Sequence, residues 1–292
     1  MKFLFPVLIT AILVAVGTFL LMHLHFTGLL PWEVDSREGV IHATLQSDIL
    51  QETREVIITL PQNYSAQKKY PVLYMLDAGP LQDRSADVLE ILAASDYAPE
   101  TIVVGIPNPG MEARQRDLTP PYMISDMDDP ASAPGGGDKF LEFIQKELIP
   151  FIDSQYATSN YRLFSGNSRG GLLVLHSLMT NPGLFQARIC YSTPFWRQDE
   201  LILQKFSDFM DKTDTLNTFL FFSAGEDETD NIKRGCGSLA ERLGKNTPFG
   251  FEWGYQFTPK ADHQSNSHRS AGKALGLWGK HALRQHDKLQ SK

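Results

Sequence analysis

The sequence predicts an α/β protein in which helices cover both faces of a mostly parallel central sheet. Continuous apolar runs at residues 71–76 and 101–106 are typical of strands that are buried on both faces. Segments in which apolar residues recur at helical spacing, such as residues 138–152, lie between these runs. This alternation indicates a parallel sheet with crossover helices. A chain of 292 residues with 42% hydrophobic residues can bury a core of this size.

The predicted elements follow one another along the chain without an internal repeat. Residues 40–45 and 54–60 alternate between apolar and polar side chains, which predicts an antiparallel ribbon before the parallel strands. Further strands are predicted at residues 71–76, 101–106, 161–165, 187–192, 218–224 and 249–257, and helices at residues 81–94, 138–152, 170–180, 201–210, 230–243 and 270–289. Residues 120–137 form one long turn-rich stretch, and loops of that length are usually functional or mobile.

Residues 3–22 form an uncharged apolar segment of the length that a helix needs to cross a bilayer. Lys2 precedes it, while Glu33 and Asp35 follow it, so the positive-inside rule predicts a cytoplasmic N-terminus and an exported body. We therefore expect residues 1–30 to be a signal anchor in the membrane. A cleaved signal peptide and a buried core helix are the alternatives. An anchored body would face the periplasm from the inner membrane, and a cleaved one would be periplasmic or secreted.

Composition excludes several classes of function. Lys and Arg number 27 against 34 Asp and Glu, a net charge of −7, which argues against a protein that tracks nucleic-acid phosphates. Two cysteines, Cys190 and Cys236, are too few for a disulfide scaffold or a cysteine-based zinc site, and the sequence does not decide whether they pair. No H-x-x-x-H or H-E-x-x-H spacing occurs, so we predict no metal and no other cofactor. The oligomeric state is not determined by the sequence.

Residues 166–170 read Gly-Asn-Ser-Arg-Gly and fit the pattern G-x-S-x-G. They follow the predicted strand 161–165 directly and open the predicted helix 170–180, which is the setting of a nucleophile elbow in an α/β-hydrolase fold. Such a turn raises the Ser168 hydroxyl above the carboxyl edge of the sheet and aims the Arg169 N–H at a substrate oxygen. We therefore predict Ser168 as a nucleophile and Arg169 as an oxyanion donor. The alternative is an ordinary glycine-rich turn.

A serine nucleophile needs a base, which in this fold comes last in the chain. His263 lies between the last predicted strand and the last predicted helix, where that base belongs. His268, five residues later, is the second candidate, and its alternative role is that of a surface residue at a helix start. His176, inside the elbow helix, is expected to be buried or to pack against a neighbour. His281, among Lys and Arg in the last helix, is expected to be solvated.

The acid should follow the strand predicted at residues 218–224. Residues 225–230 read Gly-Glu-Asp-Glu-Thr-Asp. This loop is therefore where the acid is expected, but its four carboxylates leave the identity of the acid open. The acid must hold the imidazole N–H and stabilise the imidazolium. We choose Glu228, and Asp227 and Asp230 remain alternatives.

A second oxyanion donor should lie in the loop after the strand at residues 71–76. Ala78 and Gly79 are small enough there for their N–H groups to approach a substrate. The alternative is a simple tight turn.

Several segments in order resemble the esterase D-like putative esterases of the α/β-hydrolases, which include siderophore-ester hydrolases, S-formylglutathione hydrolases and feruloyl esterases. The matching segments are YPVLYMLDAG at residues 70–79, TIVVGIPN at 101–108, RQRDLTP at 114–120, GG at 136–137, ELIP at 147–150, SGNSRGG at 165–171 and STPFW at 192–196. Asn167 stands where the family more often has histidine, which affects the pocket rather than the nucleophile. The resemblance covers about residues 40 to 285.

The resemblance implies an α/β-hydrolase catalytic domain over residues 31–292 and agrees with Glu as the acid. We expect a serine esterase that cleaves a small-molecule carboxylic ester through an acyl-enzyme. A periplasmic esterase of siderophore-type esters is the favoured form of this expectation. An acyltransferase and a non-catalytic binding protein of the same fold are the alternatives. Arg114 and Arg116 are predicted to contact polar or anionic substrate groups, or else to form an ion-pair network that holds the long loop. Trp196 is predicted to line the pocket, or else to pack in the core.

Overall fold

The computed structural model describes residues 39–290, which form one eight-stranded sheet. The strands are β1 (Val40–Ser47), β2 (Glu52–Thr59), β3 (Tyr70–Leu76), β4 (Ile102–Ile106), β5 (Thr158–Asn167), β6 (Ala187–Tyr191), β7 (Thr215–Gly225) and β8 (Phe249–Thr258). Their order across the sheet is β1-β2-β4-β3-β5-β6-β7-β8. The ribbon of β1 and β2 joins β4 in antiparallel pairing, and the strands from β4 to β8 pair in parallel. The mostly parallel α/β sheet that the sequence predicts is confirmed.

The ribbon ties the first described residue to the body. The Leu60 N–H donates to the Gly39 carbonyl oxygen at 3.0 Å. Val40 pairs with Thr59, and Thr59 pairs with Val103 near the start of β4. Gly39 therefore lies at the edge of the sheet where the parallel strands begin.

Eight α-helices and one π-helical turn connect and cover the strands within residues 39–290. They are α1 (Pro80–Ala94), α2 (Met111–Asp117), α3 (Gly137–Phe143), the π turn Ile144–Leu148, α4 (Ile149–Gln155), α5 (Arg169–Thr180), α6 (Arg197–Met210), α7 (Asp230–Lys245) and α8 (Asn266–Gln290). The short α2 is not predicted by the pattern. The predicted helix at residues 138–152 is interrupted by the π turn just before Pro150, whose missing N–H breaks the α-helical bonding.

The first turn of α6 differs from the rest of that helix. Gln198, Asp199 and Glu200 have left-handed φ angles of 48°, 56° and 59°. Non-glycine residues adopt this region rarely, and a right-handed helix cannot include it. The regular part of α6 therefore begins at about Leu201, as the apolar spacing predicts.

The core forms two layers, one on each face of the sheet. Alternate residues of β3 point to opposite faces, so Val72 and Tyr74 join one layer while Leu73 and Met75 join the other. Helices α1 and α8 cover the second layer, and α3 to α7 cover the first. His281 of α8 is 2% exposed and its Nδ1 lies 3.2 Å from Glu252 Oε1, so the expectation of a solvated histidine is wrong. His281 lies on the face of α8 that packs against the sheet.

The predicted membrane segment at residues 3–22 lies outside the described residues. Across residues 39–290, no helix combines the length and the apolar character that a bilayer crossing requires. Cys190 and Cys236 are both buried and both free, so the question of their pairing is answered: they form no disulfide in this structure.

Arg188 of β6 is fully buried and is bound by neutral acceptors. Its guanidinium donates to the Ser177 hydroxyl at 3.0 Å, the Phe185 carbonyl at 2.8 Å and the carbonyl oxygens of Ser177 and Asn181 at 3.1 Å each. Burial lowers the pKa of Arg188 to about 9, which leaves it protonated at neutral pH. The Arg188 side chain thus binds the C-terminal end of α5 to β6, which lies two strands from the edge strand β8.

Replacing Arg188 by leucine is expected to lower the free energy of unfolding by about 3 kcal/mol or more, because several buried acceptors lose their donor. Urea denaturation measures the change. The matched control is Arg84→Leu at an exposed position of α1, which should change stability by no more than about 0.5 kcal/mol. Equal stability of the two variants would contradict this account of Arg188.

Candidate active site

Ser168 lies on a sharp turn between β5 and α5. Its backbone has a φ of 52° and a ψ of −120°, a conformation that an unstrained serine rarely adopts. The Ser168 N–H donates to the Tyr191 carbonyl oxygen at 2.8 Å, which fixes the turn to the end of β6. A Cβ atom on Gly166 would lie 2.5 Å from the Gly170 carbonyl carbon, so only glycine fits there. The turn thus places the Ser168 hydroxyl at the carboxyl edge of the sheet.

His263 comes from the loop between β8 and α8, and its side chain is 40% exposed. Its Nε2 atom lies 3.0 Å from the Ser168 Oγ, and its Nδ1 lies 2.8 Å from the Glu228 Oε2. The imidazole therefore bridges a hydroxyl and a carboxylate, each through one ring nitrogen. His268, the second candidate, contacts Ser267 instead, at 3.5 Å.

Glu228 lies three residues beyond the end of β7, and its side chain is fully buried. Burial alone would raise the pKa of this carboxyl. Hydrogen bonds from His263, the Gly225 N–H and the Ser192 hydroxyl outweigh burial and hold the pKa below its ordinary value. Glu228 is therefore ionised at neutral pH. Asp227 and Asp230 are exposed, and Asp230 pairs with Lys233 at 3.2 Å; the structure brings neither to the imidazole.

The loop after β3 lies beside the elbow. A Cβ atom on Gly170 would lie 3.5 Å from the Asp77 Oδ2, so this loop and the start of α5 are in contact. The Ala78 N–H reaches the Ile106 carbonyl oxygen at 3.4 Å, the long end of the hydrogen-bond range, and is only weakly engaged. Gly79 precedes α1 and accepts from the Gln82 N–H at 2.9 Å. Arg169 is the first residue of α5, where N–H groups lack helical acceptors.

A cavity of about 300 Å³ opens at Ser168 and His263. Trp196 lines it and also packs against the core, so this residue combines the two alternatives that the sequence leaves open. Three arginines also line it, namely Arg114 of α2, Arg169 of α5 and Arg197 of α6, and the remaining lining residues are Met127, Pro194, Thr229 and Ile232. A larger cavity of about 690 Å³ lies where the parallel strands begin, and no histidine lines it. The smaller cavity is therefore the one that contains the Ser168 hydroxyl and the His263 imidazole.

Two of these arginines form no ion pair within 4 Å of a carboxylate among the described residues. Arg169 donates to the Thr119 hydroxyl at 2.8 Å and to the Ser125 carbonyl oxygen, and Arg197 donates to the Ile124 carbonyl oxygen at 2.8 Å. Burial lowers the pKa of Arg197 to about 10 and also lowers that of Arg169, so both stay charged at neutral pH. Arg197 is 2% exposed and Arg169 is half-buried, and the charge of Asp126 acts to raise the pKa of both without an ion pair, so Arg169 is the more accessible of the two to a ligand.

The two arginines that the sequence singled out have different surroundings. Arg114 forms a two-point ion pair with Asp77, at 2.6 and 2.7 Å, while it lines the cavity. Arg116 does not reach the cavity. Instead it pairs with Glu52 and Asp117, which also bind the buried Arg54. Arg116 therefore belongs to an ion-pair network and not to the cavity. Arg114 forms an ion pair and also lines the cavity.

Sequence reasoning missed Arg197 and the side chain of Arg169 as cavity residues. The sequence offers one indication that Arg197 lies at the cavity, namely its position directly after Trp196. It also missed Ser192 and Asn266, which lie behind Glu228 and are fully buried. Within residues 39–290, no group of three His, Cys, Asp or Glu side chains is arranged to hold a metal ion.

The chain is similar to known esterases. A family model described as "Putative esterase" matches residues 47–285. The ferri-bacillibactin esterase BesA of Bacillus subtilis is 30% identical over 212 residues, which cover 65% of this chain and 72% of that protein. The siderophore triacetylfusarinine C esterase of Aspergillus fumigatus is 33% identical over 153 residues, which cover 48% of this chain and 50% of that protein.

A solved structure of an IroE-like serine hydrolase from Shewanella oneidensis superposes with a TM-score of 0.75. It is 31% identical in sequence, and the match covers 82% of this chain and 80% of that one. The family model spans most of the chain, and the curated relatives are esterases. The protein is therefore a carboxylic ester hydrolase with an α/β-hydrolase fold, and it belongs to the esterase family that this model describes.

Proposed function

We propose that the protein is a serine esterase in which Ser168, His263 and Glu228 form the catalytic triad. The observation that carries the proposal is the continuous line of contacts from the Ser168 hydroxyl through His263 to a buried carboxylate, at 3.0 and 2.8 Å. These are the distances at which a base accepts a hydroxyl proton while an acid orients the base. The elbow and the chain order of the three residues support the same assignment.

In the first half of the reaction, the Ser168 oxygen attacks the ester carbonyl as His263 Nε2 takes the hydroxyl proton. The carbonyl oxygen becomes an oxyanion, which the Arg169 N–H and an N–H at Ala78 or Gly79 stabilise, each by about 3 kcal/mol. The buried Glu228 carboxylate stabilises the imidazolium. His263 then gives its proton to the departing alcohol, and the acyl group stays on Ser168.

In the second half, a water molecule takes the place of the alcohol. His263 removes a proton from that water as it attacks the acyl-enzyme, and the second oxyanion forms in the same N–H groups. Its collapse releases the carboxylic acid and returns the proton to Ser168. An alcohol in place of water would make the protein an acyltransferase.

We further propose an anionic, siderophore-type ester as the substrate. Support comes from Arg169 and Arg197, two cations that line the cavity and form no ion pair among the described residues, in a chain whose net charge is −7. Such cations attract acidic groups of a ligand and orient them. The relatives named above are esterases of siderophores, which agrees with this class. Export of the body remains a prediction from residues 3–22.

Ser168→Ala is expected to lower kcat/KM for p-nitrophenyl butyrate by about 10⁴-fold or more, because the reaction loses its nucleophile. Ser154→Ala at an exposed position of α4 is the matched control and should hydrolyse the ester normally. A fluorophosphonate probe should label the wild type and the control, but not Ser168→Ala. Normal hydrolysis by Ser168→Ala would rule out the triad. Product analysis with competing alcohols separates hydrolysis from acyl transfer.

The identity of the acid can be tested in a set of isosteric variants. Glu228→Gln should lower kcat by about 10³- to 10⁴-fold, because a neutral amide neither stabilises the imidazolium nor fixes its tautomer. Asp227→Asn and Asp230→Asn should stay within about threefold of the wild type, since both side chains face solvent. Steady-state kinetics on the same ester measures all three. A larger loss in Asp227→Asn than in Glu228→Gln would overturn the assignment.

The arginines can be tested with a matched pair of esters, p-nitrophenyl butyrate and the anionic mono-p-nitrophenyl succinate. Arg197→Met should raise KM for the succinate by about tenfold and leave KM for the butyrate within about twofold, because it removes one charge-assisted contact. Arg234→Met, at an exposed position of α7, should change neither value. Parallel changes for both esters would show that Arg197 shapes the cavity without recognising charge.

A further inference from the structure

The Glu228 carboxylate is held from two sides. Its Oε2 faces His263, and its Oε1 accepts from the Gly225 N–H at 2.8 Å and from the Ser192 hydroxyl at 2.6 Å. The Gly225 bond comes from the same turn as Glu228. The Ser192 bond comes from another strand end, so it fixes the carboxylate relative to the rest of the sheet.

Ser192 is itself held in place by the backbone. It follows β6, has a left-handed φ of 48° and is fully buried. Its N–H donates to the Ser223 carbonyl oxygen of β7 at 2.8 Å. A non-glycine residue keeps such a conformation only where its surroundings enforce it.

Asn266, the first residue of α8 and three residues after His263, decides which way the Ser192 hydroxyl donates. Its Nδ2 donates to Ser192 Oγ at 2.8 Å and to Ser223 Oγ at 3.1 Å. An amide nitrogen has hydrogens only to give, and a hydroxyl has one hydrogen. The Ser192 oxygen therefore accepts from Asn266, and its single hydrogen goes to Glu228.

The rest of this buried cluster supports the same direction. Ser270 donates to the Asn266 carbonyl oxygen at 2.8 Å, which leaves the Ser223 hydrogen for the Ser270 oxygen at 3.1 Å. The Asn266 N–H is bound to the Asp262 carbonyl oxygen at 2.9 Å, so the residue is anchored in the loop that carries His263. In the opposite amide orientation, Asn266 Oδ1 would compete with Glu228 for the Ser192 hydrogen.

We propose that Asn266 and Ser192 are positioning residues for the triad acid, with Asn266 acting through Ser192. They hold Glu228 so that Oε2 meets His263 Nδ1, and they draw part of the carboxylate charge toward Oε1. This inference rests on the proposed triad. It extends the triad by two buried residues that do not line the cavity and form no described hydrogen bond with His263.

Ser192→Ala should lower kcat by about tenfold, the effect of one hydrogen bond to a charged group, with KM within about twofold. Asn266→Leu should lower kcat by about threefold, because Ser192 keeps its hydroxyl and loses only the neutral donor that fixes its direction. The double variant should lose no more than Ser192→Ala alone, because Asn266 acts only through Ser192. Independent losses that multiply would overturn the proposal, as would native kcat in Ser192→Ala. Where Ser192→Ala folds poorly, Ser192→Gly removes the same hydroxyl and favours the left-handed φ.

Ser47→Ala is the matched control, because Ser47 is another buried serine whose hydroxyl donates to a glutamate, Glu147, at 2.5 Å. It lies on the ribbon, away from the cavity, and should lower thermal stability while kcat stays within about twofold. A Ser47→Ala variant that loses kcat as much as Ser192→Ala does would show that both effects come from lost stability.

The pKa of His263 gives a readout that needs no activity. It can be measured by NMR titration in a Ser168→Ala background. Removing the Ser192 donor leaves more negative charge on Glu228 to face the imidazolium, so the pKa of His263 should rise in Ser192→Ala. Arg114, Arg169 and Arg197 line the same cavity as His263, the Cys236 thiol lies close enough to Glu228 to be affected by its charge, and none of these groups is altered.

The two readouts separate the two proposals. A wild type without ester hydrolysis would reject the triad, while a shifted His263 would still support the positioning role. An active wild type whose His263 has the same pKa with and without the Ser192 hydroxyl would reject the positioning role alone. Asn266→Leu should shift this pKa in the same direction as Ser192→Ala, and a shift of opposite sign would also reject it.

Discussion

A buried negative charge is the constraint on which the site depends. Glu228 has no solvent exposure, so its ionised form survives only because donors from three directions compensate the loss of water. Those donors belong to the end of β6, the end of β7 and the loop before α8. The charge therefore draws three separate parts of the sheet edge into one arrangement. The strained turn at Ser168, which is tied to Tyr191 at the end of the same strand β6, then meets His263 at bonding distance.

The arginines at the cavity complete this electrostatic arrangement. Arg114 forms an ion pair with Asp77 and so stabilises the loop beside the elbow. Arg169 and Arg197 donate their hydrogen bonds to neutral groups of the loop between α2 and α3 and form no ion pair there, although the charge of Asp126 acts on both. One long loop is thus held by the cations that face the ligand. The side chains that line the cavity are therefore the same ones that hold this loop.

Sequence alone predicted those features that follow from chain order. The elbow, the late histidine and the acidic loop could be identified because each follows a strand, and the carboxyl ends of parallel strands meet at one edge. The choice of Glu228 over Asp227 was open because exposure differs between neighbouring residues of one turn, and the pattern does not encode it. The burial of His281 and the cavity position of Arg197 depend on how helices rotate against the sheet. Asn266 escaped notice because its partners are 43 and 74 residues away.

The hydrogen bond between Leu60 and Gly39 has a consequence for orientation. It fixes the point where the preceding chain joins the body, and that point lies at the edge of the sheet opposite Ser168. A ligand that enters the cavity therefore approaches the sheet from the end opposite to the one where the chain joins it.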